Sequence, residues 1–384
     1  MINTGRAIGE FASFLMPELL RRLSVTVGTL LLYRLGCQIP LPGLDPDRLD
    51  RLLGAPWMSL ERMSIFALGV TPILSVLIIV EIAKLAFPAI ARWEATDKGK
   101  AARLHRATQI AALVLAAFQG LSISHALELS PGLVDEPDWT FEAGIVATFV
   151  AATALLGWLA DRMTLRGLGY GFWLLLVTPY LMRLPSAVAT MIELLRQGAM
   201  SQGQIILVVG CAIAAVAVVV VLARAHGPAR LNSNVSIAGE FLDSRANGAG
   251  LLDVWPPLLA KYAGGLVLGA VVLSLDKSID VSFLAVGRPV HLLVTAALIA
   301  GFAAMRAGSA PGEAARPVAI MALAQIVICC GGEWLLLAGG LPFLLDGVSL
   351  IVVVATALNV IRRFTDLAKP YAPPYGAPPG QSAR

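Results

Sequence analysis

Ten long apolar runs, separated by short polar or charged stretches, organise this chain. They lie near 22–39, 64–86, 104–127, 143–163, 170–194, 204–224, 252–274, 288–305, 317–338 and 342–361. A helix of about 20 apolar residues crosses a hydrocarbon core of about 30 Å, so each run predicts a membrane-spanning helix. Several runs are interrupted. Gly69 and Pro72 sit early in the second, Pro179 lies inside the fifth, and Pro256 and Pro257 open the seventh. A backbone group freed in lipid costs several kcal/mol unless protein or water satisfies it. Interrupted helices therefore face the bundle interior or an aqueous cavity, which predicts three interruptions around one pathway. An ordinary proline kink is the alternative at any single position.

Composition supports the membrane reading. Hydrophobic residues make up 57% of the 384 and charged residues only 14%, whereas a soluble domain carries about 25% charge. The net charge of +4 does not point to nucleic acid, because the basic residues lie between the spans rather than in one patch. Their distribution orients the chain instead. With ten spans both termini share a face, and that face collects 19 of the Lys and Arg residues against 7 on the other, with Arg34, Lys84 and Lys261 unassigned. The 128–142 loop carries Glu128, Asp135, Glu136, Asp138 and Glu142 and no base. Both termini are thus predicted to be cytoplasmic. The N-terminal segment has no cleavable-signal pattern. The Pro- and Gly-rich tail 367–384 is predicted to be disordered.

Candidate chemistry is sparse. Cys37, Cys211, Cys329 and Cys330 fall in or beside apolar runs without metal-like spacing and read as small core residues. The four histidines are scattered. There is no nucleophile triad, P-loop or metal motif, so no enzyme activity, metal or cofactor is expected. "GLGYG" at 167–171 is a Gly-rich turn between two spans, without the preceding strand that a dinucleotide site needs. Glu81 and Lys84 share a helical face and can pair or reach the cytoplasmic surface. Lys261 stands alone in the seventh run, and Glu333 lies near the end of the ninth. Ion-coupled pumps usually carry charged relays at mid-membrane; the walls here are mostly apolar.

Four stretches resemble the SecY family, the central subunit of the bacterial preprotein translocase. "LLYRLGCQIPLPGLD" (31–45) resembles the end of that family's first helix and "SIFALGVTPIL" (64–74) the start of its second. "LADRMTLRGLGYGFWLLLVTPYLMRLPSA" (159–187) is similar to its fourth-to-fifth helix junction, and "GVSLIVVVATALNVIRRF" (347–364) to its tenth helix. The matches occur in order, between about residues 10 and 365. The resemblance implies an all-α polytopic membrane protein of ten transmembrane helices. Two five-helix halves in inverted relation, 1–198 and 199–366, would enclose a central channel for unfolded preproteins in the bacterial plasma (inner) membrane. It also implies an apolar pore ring at Val70, Leu74, Leu176 and Tyr180, with Trp255 or Leu258 and Ile351 completing it. Val70 and Leu74 are one helical turn apart and would share the pore wall. Implied partners are SecE-like and SecG-like membrane subunits, the SecA motor or the ribosome, preproteins and the lipid bilayer.

This sequence departs from the family pattern at three places. Only residues 44–63 remain where the family carries a plug helix under the ring. The loop between runs six and seven (225–251) is mixed rather than strongly basic, and the loop after run eight (305–317) is short. Those two loops dock motor and ribosome in the family, leaving Arg224, Arg230, Arg245, Arg306 and Arg316 as the candidate docking residues. Two other readings stay open: a non-conducting relative acting as accessory or scaffold, and a small-solute transporter, a class that also uses inverted repeats and broken helices.

Overall fold

The computed structural model describes residues 2–44, 60–129, 133–134, 138–225, 254–274, 282–308, 315–339 and 346–367. Their order is helical throughout: α1 (Ile2–Gly36), a 3₁₀ turn (Leu60–Met63), α2 (Thr71–Ala86), α3 (Pro88–Ala95), α4 (Lys98–Glu128), α5 (Trp139–Arg166) and α6 (Gly171–Arg196). There follow α7 (Gln202–Ala225), α8 (Trp255–Ser274), a second 3₁₀ turn (Ser282–Leu284), α9 (Pro289–Gly308), α10 (Ala315–Gly339) and α11 (Gly347–Leu367). The expected plug segment falls mostly outside the described residues, as do Arg230, Arg245 and the tail after 367.

Each apolar run overlaps a helix in its described residues. Among the described residues eight helices, from α4 to α11 in turn, are long and apolar enough to cross a membrane. The second run ends with α2, which meets α3 beyond it at 108°. Proline causes the corner, because Pro88 occupies the first turn of α3 and restrains Phe87 to an extended backbone (φ −125°, ψ 82°). Most of the first run lies in α1, which ends at Gly36, with Arg22 and Arg34 bracketing its apolar part, and it is not among the eight.

Three expectations about helix interruption change. Pro72 sits in the first turn of α2, and Pro256 and Pro257 in the first turn of α8, where a missing N–H costs nothing. They start helices and do not break them. Pro179 lies within α6, which runs continuously past both it and Pro185. Arg306 and Arg316 sit on the last turn of α9 and the first turn of α10 rather than in a loop, so the connection there is only 309–314.

One apolar core joins residues of α1, α2, α5 and α6 with residues of α8 to α11; Leu156, Leu259, Ile299 and Ile351 are among its fully buried members. A second cluster, Leu41, Leu44, Leu127, Leu133, Phe141, Ile145 and Phe149, seals the other end of the α4–α5 hairpin. Isolated bridges Pro40–Ser64 and Leu44–Val134 fasten the segment after α1 to its neighbours. The Asp138 carboxylate caps α5 by accepting from the Thr140 and Phe141 amides. The Thr140 hydroxyl and these amides hold that carboxyl below its ordinary range. The outer face of α7 stays apolar and exposed, with Ile206, Ile213 and Val221 pointing outward as lipid requires.

Candidate pore constriction

The entry into α2 is built by packing around glycine. A Cβ on Gly36 would lie 2.1 Å from the Phe66 ring, so only glycine lets Phe66 seat against α1. There Phe66 stacks on Tyr33 with ring centroids 5.8 Å apart and an 8° interplanar angle. The chain then turns through short backbone bonds, the Gly69 N–H donating to Phe66 O and the Thr71 N–H to Leu68 O. Gly69 adopts φ +53°, a left-handed conformation that glycine takes without a Cβ penalty. Val70 caps α2 from outside the helix, and the Leu74 N–H donates to its carbonyl as the first helical bond.

This turn delivers Leu74 to a small open cavity of about 30 Å³. Leu74, Leu176, Leu258, Val348 and Val352 supply its apolar wall, from α2, α6, α8 and α11. Tyr180, Lys261, Tyr262 and Ser349 supply a polar one. Four of the expected ring residues, Leu74, Leu176, Tyr180 and Leu258, therefore share one space. Val70 and Ile351 are buried in the surrounding core and do not line it. On α11 the lining comes from Val348 and Val352, one turn apart, while Ile351 turns a quarter-circle away into the core. Of the two seventh-run candidates, Leu258 lines the cavity. Trp255 packs edge-on against Trp173, centroids 5.9 Å apart, and bridges α8 to α6. Gly69, Pro72, Pro179, Pro256 and Pro257 are not in the lining; the glycine and three of the prolines set helix starts beside it.

Charged groups are paired where the sequence left them isolated. Lys261 is not alone: its ammonium donates to Asp346 Oδ2 at 2.6 Å. Glu81 and Lys84 do not reach the surface. They are buried at 3.2 Å, and α3 brings Glu94 to within 3.0 Å of the same ammonium. His291 meets Glu333 at 3.1 Å. His125 lies 3.2 Å from Glu142 and 3.7 Å from Glu128; these three bring ligand atoms within 4.8 Å of one another and are the one metal-capable group among the described residues. Glu81–Lys84 is the i,i+3 pair that the sequence showed, whereas contacts between helices brought Glu94 to Lys84, Glu142 to His125, Asp346 to Lys261 and Glu333 to His291, and sequence spacing offered no signal for those.

The 167–171 turn also gains a role. Leu168 N–H donates to Thr26 Oγ1 of α1, and Gly171 N–H to Thr164 Oγ1. Arg363 of α11 donates to the carbonyls of Thr164 and Gly169. Glycine is obligatory at 171, where a Cβ would stand 2.1 Å from the Ala160 carbonyl oxygen.

The family model for SecY matches residues 64–308. The chain belongs to the SecY family. Among its relatives, the protein translocase subunit SecY of Escherichia coli (strain K12) is 26% identical over 415 aligned positions covering 92% of each chain. That of Pseudomonas aeruginosa is 27% identical over 407 positions, covering 91% of this chain and 90% of the relative. That of Buchnera aphidicola subsp. Acyrthosiphon kondoi is 36% identical over 200 positions, and there the match spans 56% of the relative. A solved protein-conducting channel superposes with a TM-score of 0.57 at 12% identity over 91% of this chain and 93% of that one. Sec61 in the canine ribosome–channel complex gives 0.58 at 12% identity with the same coverage. These two likenesses establish the fold. This member of the SecY family is accordingly a multi-pass, all-helical membrane protein of the channel fold.

Proposed function

We propose that this chain is the channel subunit of a translocase that moves or inserts unfolded preproteins across or into the bacterial plasma membrane, with no enzymatic activity of its own. The observation that carries the reading is the convergence of Leu74, Leu176 and Leu258, each more than 80 positions from the next in sequence, on one cavity. An apolar constriction of this kind resists wetting, blocks ions, and deforms around a passing chain. The working ring is Leu74, Leu176, Tyr180 and Leu258, completed by Val352, with Val70 and Ile351 buttressing it. Ten spans, two inverted halves meeting near residue 198, and cytoplasmic termini complete the proposal, the positive-inside count being the support for orientation. A clamp subunit and a small accessory membrane subunit would surround it, and a cytosolic motor or a ribosome would deliver the substrate.

The test is conductance. Leu74→Asn with Leu176→Asn places hydrated groups at the constriction, and purified protein in planar bilayers should then conduct ions well above the wild-type level. A folded, monodisperse double variant that conducts no more than wild type overturns the ring.

A further inference from the structure

The closed end of the α4–α5 hairpin holds a cluster that plays no part in the cavity. His125 and Glu128 share the last turn of α4, and Glu142 in the first turn of α5 faces them. His125 Nδ1 lies 3.2 Å from Glu142 Oε1 and 3.7 Å from Glu128 Oε2. One ligand atom from each residue falls within 4.8 Å of the other two. Metal–ligand bonds of about 2.0–2.1 Å around a tetrahedral zinc ion put neighbouring ligand atoms about 3.3 Å apart. The three side chains therefore need only a small closure to share one ion.

The electrostatics favour a cation here. Two carboxylates this close repel each other unless positive charge lies between them. The segment 128–142 carries Glu128, Asp135, Glu136, Asp138 and Glu142 and no lysine or arginine, and the negative end of the α4 dipole falls on the same turn. The frame around the cluster is fixed. Asp138 caps α5, and the chain neighbours Leu127 and Phe141 are buried with Leu41 and Leu44. The cluster itself meets water, with 57% of the His125 side chain exposed, 22% of Glu128 and 29% of Glu142. An ion can enter and keep solvent ligands.

We propose that His125, Glu128 and Glu142 bind one divalent cation of the zinc class, which fastens α4 to α5 at this end of the hairpin. One imidazole nitrogen with two carboxylate oxygens suits zinc and its neighbours, whereas calcium and magnesium favour shells of oxygen alone. Nδ1 is the ligating atom, so the ring proton resides on Nε2. With a proton on Nδ1 instead, the same side chains form an ion pair and no site. In the proposed orientation this end faces the exterior. Nothing in the site depends on the cavity, so it stands or falls separately from the pore reading.

The experiment uses the full chain in detergent, stripped with EDTA and titrated with Zn²⁺ by calorimetry and by thermal unfolding. One equivalent should bind, and free Zn²⁺ at about a hundredfold excess over Kd should raise the unfolding temperature by about 3 °C or more. Ca²⁺ and Mg²⁺ at the same concentration should not. His125→Ala and Glu142→Gln should each weaken binding by more than about tenfold and remove the zinc-induced shift. Both residues are partly exposed, so these variants should still fold, and His291→Ala should leave the shift unchanged. Co²⁺ in place of Zn²⁺ should give visible bands without the sulfur-to-metal charge transfer of a thiolate site. Failure of Zn²⁺ to bind, a shift that survives His125→Ala, or thiolate bands with Co²⁺ would overturn the inference.

Discussion

The guanidinium of Arg363 lies over the ring of Tyr170, 4.1 Å from its centroid. The end of the last helix is thereby pinned to the turn between α5 and α6, which Thr26 holds from the other side. Two carbonyl bonds, to Thr164 and Gly169, complete the clamp. Arg363→Ala should cost about 2–4 kcal/mol, combining a cation–π contact with hydrogen bonds from a charged donor. Arg363→Lys should recover little of it, because one ammonium cannot both stack and fork. Thermal unfolding in detergent measures both, and a lysine variant as stable as wild type would refute the clamp.

At the corner between α2 and α3, Lys84 is the cation shared by two buried carboxylates, Glu81 and Glu94. Lys84→Met leaves Glu81 and Glu94 without that cation and should destabilise by about 3–5 kcal/mol. Replacing all three by apolar residues of similar volume should be close to neutral, because the desolvation cost of the ions disappears along with their attraction. Equal stability of Lys84→Met and wild type would mean that water reaches the corner.

Two glycines make a controlled pair. Gly171→Ala drives a methyl into the Ala160 carbonyl, whereas a Cβ on Gly144 of α5 meets nothing within 4 Å. The first should destabilise by about 2 kcal/mol or more, and the second should stabilise by up to about 1 kcal/mol through helix propensity. Opposite shifts in unfolding temperature are expected; shifts of the same sign would contradict the packing at the turn.

Docking of a ribosome or motor should be weaker here than in a relative with full loops. The 225–251 loop offers Arg230 and Arg245 against Glu240 and Asp243, and six residues connect α9 to α10. Contacts to ribosomal RNA draw on Lys and Arg and weaken with salt. Co-sedimentation of reconstituted protein across a salt series should therefore show lower affinity and a shallower salt slope. Affinity and slope equal to those of the full-looped relative would shift docking to other surfaces, such as the basic segment with Arg92, Lys100 and Arg103, where both Lys100 and Arg103 lie 5.9 Å from the Trp93 ring.

What the sequence determined by itself was that the chain is helical and where its long apolar helices lie. Apolar run length is a one-dimensional quantity, since a helix satisfies its own backbone and the hydrocarbon thickness fixes how many residues it needs. Leu74, Leu176, Tyr180 and Leu258 were named only through the resemblance of their stretches to the SecY family, because the chemistry of an apolar span does not by itself separate a pore wall from lipid-facing or core packing. The tertiary structure decided the rest, because partnership across helices has no local signal. Asp346 lies 85 positions from Lys261, and Glu94 reaches Lys84 only because the chain folds back by 108° at Pro88. Rotation of α11 chose Val352 over Ile351 for the wall, a choice of 100° per residue that a helix apolar on every face leaves undetermined until its neighbours pack against it.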